Sequence, residues 1–443
     1  RCDLPGLGDR AQGEGRNRNG SRVSTLSPGA GFACYAWEMS FSVTLADIQQ
    51  ARSELRKYLQ PTPLVFNSWL SEALGCDLYL KLENMQPIGS FKIRGATYKI
   101  SQLDDAQKKK GVIASSAGNH AQGVAWGSKK LGVKATIVMP KGAALVKVQN
   151  TRALGAEVIF NGETFEDALA EAREIEKKSG KIFVHAYEDA DVIAGQGTVG
   201  LEILDQLPDV DVVVSSIGGG GLLSGVSIAL KELKPRTRLI GCQASGASAM
   251  VDSIRQGKAV HLPKIETFAD GIAVGKASEQ MREILAKRLD ECACADDEAI
   301  VMAILTLLEK AKVISEGSGA LPLAVIDQMK DKLRGKKVVA IISGGNIDVN
   351  VLARVIDRGL TRAGRRLRIN ALISDRPGSL NKLTEVIAKL GASVLQVIHD
   401  RNEPSTTIDL TEVALTLETR GPEHSAEIVE TLRKHVLRLE LTH

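Results

Sequence analysis

Val212-Val-Val-Ser-Ser-Ile-Gly-Gly-Gly-Gly-Leu222 is an apolar, β-branched run that ends in four glycines and passes directly into a helical pattern. A strand without polar alternation is one covered on both faces. Four residues lacking side chains let backbone N–H groups close around an anion, and the start of the next helix adds favourable partial charge. A phosphate is the natural guest. The other reading is a flexible turn, whose ordering would cost entropy with no compensating contact. The pattern is neither a Walker loop nor G-x-G-x-x-G, so it does not imply a nucleotide.

Similar runs lie on both sides of this stretch, at Val112–Ser115, Ala135–Met139, Leu239–Cys242 and Val338–Ile342, with helical patterns between them. Continuous apolar strands separated by helices predict an α/β body built on parallel sheet. Near its start, Leu45, Ile48, Ala51, Leu55 and Leu59 recur at helical spacing, with Thr44 or Asp47 as N-cap. Two further glycine-bearing turns, Ser116-Ala-Gly118 and Ser343-Gly-Gly-Asn346, also follow strands. Ligands of open α/β sheets bind outside the carboxyl ends of strands, so the three turns point to one site.

Ser90-Phe-Lys92-Ile-Arg94 places a lysine among Gly89, Phe91 and Ile93. Partial burial there would lower the amine's pKa and make it a nucleophile toward an aldehyde; taken alone, a lysine is more often solvated. Ser115 to Gly123 sets hydroxyl, amide and imidazole groups at a strand end before a helix. That suits an amino-acid carboxylate and a phenolic oxygen, although His120 by itself also reads as a structural histidine.

After the basic stretch Arg362-Ala-Gly-Arg-Arg366 the pattern changes. A strand over Leu367–Ile373, the turn Asp375-Arg376-Pro377-Gly378, a helix from Ser379 to Leu390, strands near Ser393–His399 and Ile408–Leu417, a helix over about Ser425–His435 and a last strand at Val436–Leu441 give the order βαββαβ. That is a ferredoxin-like module over 367–443, with 358–366 as its linker.

The 443 residues are 44% hydrophobic and carry a net charge of +4, with no basic block, so charge offers nothing to nucleic acid. No apolar run approaches the roughly 18 residues that span a bilayer. Cys2, Cys34, Cys76, Cys242, Cys292 and Cys294 form no CxxC pair, which reads as reduced thiols in a cytoplasmic protein. Cys292-Ala-Cys294 has no flanking ligand at metal-binding spacing, so no metal is expected. Residues 1–38 are rich in Gly and Arg; Gly31 to Trp37 is too short for a secretory core, and Asp3, Asp9 and Glu14 argue against a transit peptide. A disordered extension ahead of a start at Met39 is expected.

Taken together, Lys81-Leu-Glu-Asn-Met-Gln86, Gly89-Ser-Phe-Lys-Ile-Arg-Gly-Ala96, Ser116-Ala-Gly-Asn-His-Ala-Gln-Gly123, Ala194-Gly-Gln-Gly-Thr198, Gly218–Leu222 and Ser343-Gly-Gly-Asn-Ile-Asp348 are specific. Over roughly 45–357 the chain resembles the threonine/serine dehydratases of pyridoxal-phosphate fold type II, relatives of the tryptophan synthase β subunit. The resemblance implies an α/β two-domain catalytic body over 39–357, with a smaller subdomain near 87–186 inserted in the larger one. It implies that Lys92 holds pyridoxal 5'-phosphate as a Schiff base with Phe91 near the ring. Asn119 would meet the phenolic oxygen, Gly218, Gly219, Gly220, Gly221 and Leu222 the phosphate, and Ser343 the pyridine nitrogen, with Glu316 nearby. Ser116, Ala117, Gly118 and His120 would form the substrate carboxylate pocket.

The implied activity is β-elimination from L-threonine, and also from L-serine. The alternatives are a serine racemase/dehydratase or a non-catalytic amino-acid sensor. Family racemases carry a serine where this chain has Ala117, and a cation-binding glutamate where it has Gln243; a monovalent ion on carbonyls stays open. The terminal module resembles an ACT domain. That implies an amino-acid effector at Asp375, Arg376, Pro377 and Gly378, or a dimerisation role alone, in a homo-oligomeric dimer or tetramer.

Overall fold

The computed structural model describes residues 42–401 and 408–442. The expectations for residues 1–38, Met39, Cys2 and Cys34 lie outside these. Fourteen strands are described: β1 (Leu64–Phe66), β2 (Asp77–Leu82), β3 (Val112–Ser115), β4 (Ala135–Met139), β5 (Glu157–Phe160), β6 (Ile182–Phe183), β7 (Val212–Ser216), β8 (Arg238–Ala244), β9 (Glu291–Ala295), β10 (Lys337–Ile342), β11 (Arg366–Ser374), β12 (Ser393–Asp400), β13 (Leu410–Glu418) and β14 (Arg438–Leu441).

Six strands form one sheet in the order β1-β2-β10-β7-β8-β9. Only β1 runs antiparallel to its neighbour. Alternate residues of the central strands feed two cores. Val213, Leu239, Val339 and Ile341 pack on one face, and Val212, Val214, Ile240, Val338, Ala340 and Ile342 on the other. This double coverage explains why the runs lack polar alternation. A second, parallel sheet has the order β5-β4-β3-β6 and its own core around Val112, Ala114, Val124 and Ile137. Its strands lie between residues 112 and 183. The first helix, Leu45–Leu55, starts with Thr44 and Asp47 in a reciprocal capping box.

The carboxyl ends of β2, β10 and β7, adjacent in the larger sheet, feed the segments Glu83–Met85, Ser343–Asn346 and Gly218–Gly221. From the smaller sheet, β3 feeds the turn before the helix Asn119–Leu131, and β6 feeds the segment before the helix Ala190–Gln206.

The terminal module is an antiparallel sheet, β12-β13-β11-β14, with helices Ser379–Lys389 and Pro422–Arg433. Ile369, Ala371 and Ile373 of β11 and Val413, Leu415 and Leu417 of β13 alternate into its core against Leu383, Ile387, Ile428 and Leu432. The expected linker 358–366 is different. Helix Val349–Arg362 runs through most of it and β11 begins at Arg366, leaving only residues 363–365 between them. The basic composition suggested solvated chain. Instead Val351, Leu352 and Val355 press one face of the helix onto the larger core, and Gly359 sits against Leu305.

Candidate active site

The glycine turn after β7 is packed, not loose. A Cβ on Gly219 would lie 2.3 Å from the Tyr187 ring, and one on Gly221 would lie 2.8 Å from the Tyr187 Cβ. Gly220 has φ +99°, which a side chain tolerates poorly, and caps the helix Gly221–Leu233. Gly219 and Gly220 are buried. Yet none of the N–H groups of Gly218, Gly219 and Gly220 has a hydrogen-bond partner among the described residues. Buried N–H groups are costly when unpaired. A cradle of such donors at a helix start is therefore shaped for an anion such as a phosphate. Leu222, also buried, continues the helix.

Lys92 opens the helix Lys92–Ser101. The approach to it is fixed across the two sheets: Gly89 adopts φ +72°, Ser90 forms a bridge with Gly344, and the Phe91 N–H donates to the Ser343 carbonyl at 3.1 Å. The Lys92 Nζ donates to the Ala186 carbonyl at 2.8 Å and stands 5.2 Å from the Phe91 ring centre. Burial pulls the amine down to about 8, against an opposing pull from Glu316. An amine so placed is a competent nucleophile toward an aldehyde.

Asn119 is the first residue of its helix, and two side chains fix its amide. Its Nδ2 donates to Glu316 Oε1 at 2.8 Å, and its Oδ1 accepts from Asn346 Nδ2 at 2.8 Å. Asn346 also donates to the Ile88 carbonyl at 2.7 Å. Glu316 is 4% exposed, stands at the N-cap position of the helix Gly317–Gln328 with no side-chain cap bond, and accepts from Ser318 Oγ at 2.7 Å. Burial raises its carboxyl above the usual range, although the bonds from Ser318 and Asn119 pull the other way. Ser343 is 3% exposed at the end of β10. Thus Lys92, Phe91, Asn119, Glu316 and Ser343 form one connected group.

In the expected carboxylate pocket, Ser116, Ala117 and Gly118 are partly open, and Ser116 Oγ accepts from the Gly118 N–H at 3.1 Å. His120 follows in the first turn of the helix. It is buried, its Nε2 bonds the Val184 carbonyl at 2.8 Å, and burial together with nearby Lys92 pushes it down to about 3. A neutral imidazole tied to backbone brings no charge to a carboxylate.

The sequence reading missed His185, Ala186 and Tyr187. Tyr187 lies on the glycine turn with His185 edge-on at 4.7 Å, and burial pushes its phenol up to about 12. His185 Nδ1 accepts from the Glu188 N–H at 2.7 Å. The available signal was their position at the carboxyl end of β6. Gln243 is buried, with its Oε1 accepting from the Val251 N–H at 2.8 Å. Far along the chain, Asp375 pairs with Arg401 at 3.1 Å, and Gly378 has φ +91° with open space around it. Within the chain, backbone conformation and not crowding therefore demands glycine there.

Beneath Lys92 lies a buried ion network. Arg94 grips Glu83 through Nε at 2.7 Å and Nη2 at 2.8 Å, and reaches Glu202 through Nη1 at 2.6 Å. Lys81 completes it, donating to Glu202 at 2.6 Å and to the Thr62 carbonyl at 2.7 Å. The network locks the helix that carries Lys92 onto the larger sheet.

No helix among the described residues is long and apolar enough to cross a membrane. A family model described as pyridoxal-phosphate dependent enzyme matches residues 55–344. The chain is 47% identical over 390 residues to the L-threonine ammonia-lyase of Thermotoga maritima, covering 88% of this chain and 97% of that protein. Among solved structures it resembles the processed form of threonine deaminase isoform 2 from Solanum lycopersicum, with TM-score 0.68 and 37% identity over 71% of this chain and 86% of that one. Maize serine racemase gives TM-score 0.69 and 33% identity over 73% and 99%. By these matches, the chain belongs to the pyridoxal-phosphate-dependent enzymes of fold type II.

Proposed function

We propose that this chain removes water and ammonia from L-threonine to give 2-oxobutanoate, and acts likewise on L-serine to give pyruvate. The observation that carries the reading is the convergence of a partly buried lysine amine with a glycine cradle of unpartnered N–H groups. The Thermotoga relative, an L-threonine ammonia-lyase aligned over 97% of its length, supports it.

Pyridoxal phosphate, when bound, supplies a sink for the electrons released at the substrate's α-carbon. Lys92 would hold its aldehyde carbon, the N–H groups from Gly218 to Leu222 its phosphate, Asn119 its phenolic oxygen and Ser343 its ring nitrogen. A lysine held near 8 is neutral in a useful fraction at neutral pH, so the free Lys92 amine removes the α-proton. The Ala186 carbonyl accepts from that nitrogen and restrains where it moves. Ser116 and the backbone of Ala117 and Gly118 receive the substrate carboxylate. A hydroxyl at Ser343 does not balance a protonated ring nitrogen as a carboxylate would, which favours prompt loss of the β-hydroxyl.

The test is a coupled 2-oxo acid assay on the holoenzyme with a panel of hydroxy amino acids. Turnover of threonine, and more slowly of other substrates, is expected. A borohydride-reducible cofactor with no 2-oxo acid from either threonine or serine would replace this reading with that of an amino-acid sensor.

The reading extends to residues 367–443 as an effector module in a homo-oligomer, with an amino acid held at the Asp375–Gly378 turn. An amino acid should shift the wild-type substrate saturation curve, and Gly378→Asp, strained at φ +91°, should abolish the shift while sparing the uninhibited rate. If none of the twenty amino acids shifts the curve, the module is structural.

A further inference from the structure

A cavity of about 140 Å³ borders the ion network, and Lys92 is not among its lining residues. Its walls are the apolar Leu55, Leu59 and Pro61, and its floor includes Arg94 and Glu202. Engineered cavities of about 150 Å³ accept benzene, so a guest of roughly six heavy atoms fits.

The charges around it decide what kind of guest. Glu202 is fully engaged, its two oxygens shared between Arg94 and Lys81. Asp205 is held by Arg52 at 3.0 Å. Thr198 accepts from Arg94 and donates to the Gly195 carbonyl, and Gln206 bonds Lys81 and the Thr62 carbonyl. Arg56, at the rim, is the exception: its guanidinium has no hydrogen-bond or ion-pair partner among the described residues. The cavity therefore offers one unpaired, exposed cation and an aliphatic wall, while its exposed anion, Asp205, is already neutralised by Arg52. An amino acid would bring an ammonium group that has to compete with Arg52 for Asp205. A carboxylate would meet Arg56 with charge-assisted hydrogen bonds.

We propose that this cavity binds a short aliphatic monocarboxylate, its carboxylate on Arg56 and its chain against Leu55, Leu59 and Pro61. The 2-oxo acid product proposed above belongs to this class; that link rests on the proposed reaction, whereas the binding does not.

The experiment is calorimetric titration of the holoenzyme with butanoate, which has no amine or oxo group with which to engage the cofactor. Saturable binding is expected, weakened about tenfold or more by Arg56→Ala and unchanged by Ser116→Ala in the active-site turn. Butylamine, with the same chain and the opposite charge, should not bind. The proposal is overturned by an absence of butanoate binding, by equal binding of butylamine, or by binding that survives Arg56→Ala. Loss on Ser116→Ala with persistence in Arg56→Ala would place butanoate in the active site instead, and Lys92→Ala should leave the titration unchanged if the cavity is the site.

Discussion

The Lys92 amine should titrate near 8 in the protein stripped of cofactor, where an ordinary lysine titrates at 10.5. At pH 7 that lowering multiplies the neutral fraction roughly 300-fold and corresponds to about 3 kcal/mol favouring the neutral amine. Two opposing causes act: burial lowers the value and the Glu316 carboxylate raises it. Glu316→Gln removes only the second, so Lys92 should move further down, and the pH at which half of it is reactive should fall. The assay is competitive labelling of the apoprotein with a small amine-specific reagent across pH, with the Lys92 peptide quantified by mass spectrometry against exposed lysines. The neutral form dominates above the folded pKa and disappears as pH falls through it, so Lys92 labelling should already level off where exposed lysines are still climbing. If Lys92 climbs with the exposed lysines, burial is not controlling the amine. If Glu316→Gln moves it upward, the assigned role of the carboxylate has the wrong sign.

Other outcomes follow from the same geometry. Gly219→Ala should weaken cofactor binding sharply, because the new methyl lies 2.3 Å from the Tyr187 ring; Tyr187→Ala in the same chain should recover part of the loss, measured as cofactor dissociation constants. Arg94→Met should destabilise the fold by about 3–5 kcal/mol, since it leaves Glu83 and Glu202 buried with one cation between them; urea unfolding checks this, and a cost under about 1 kcal/mol would mean that the network relaxes. Because Ala117 has no group that moves a proton, D-serine formed from L-serine should be minor beside pyruvate, and chiral chromatography that found comparable amounts would point to another acid on that face.

The parts of the molecule readable from sequence were those whose physics is local. The β7 and β10 runs announce doubly covered strands by composition alone, and the four glycines after β7 announce backbone approach. What Lys92 is expected to do came only through the family resemblance of its motif; the structure adds its bond to the Ala186 carbonyl. Residues whose meaning depends on distant partners were not readable in this way. Arg94 looks like any helix arginine until Glu202, 108 positions away, is brought to it. Tyr187 becomes legible only when its ring is laid on Gly219. His120 follows Asn119 directly, and successive helix residues face different directions, so the sequence did not show that Asn119 bonds Glu316 while the His120 ring bonds the Val184 carbonyl. The helix through 358–362 was hidden because its charged face dominates the composition, while the apolar face that anchors it is carried by Val351, Leu352 and Val355.

The four-charge network also bears on how this sequence can drift. Lys81, Glu83, Arg94 and Glu202 sum to zero, and each is at most 7% exposed. No single replacement by an uncharged residue preserves that neutrality, and whatever charges remain stay almost wholly buried. Any one step therefore passes through a weakened intermediate, and effects at these positions are far from additive. An apolar set of similar volume in place of all four would satisfy the same space without the liability. Arriving there takes several coordinated changes, so the network is held in place by the cost of the route as well as by its own strength.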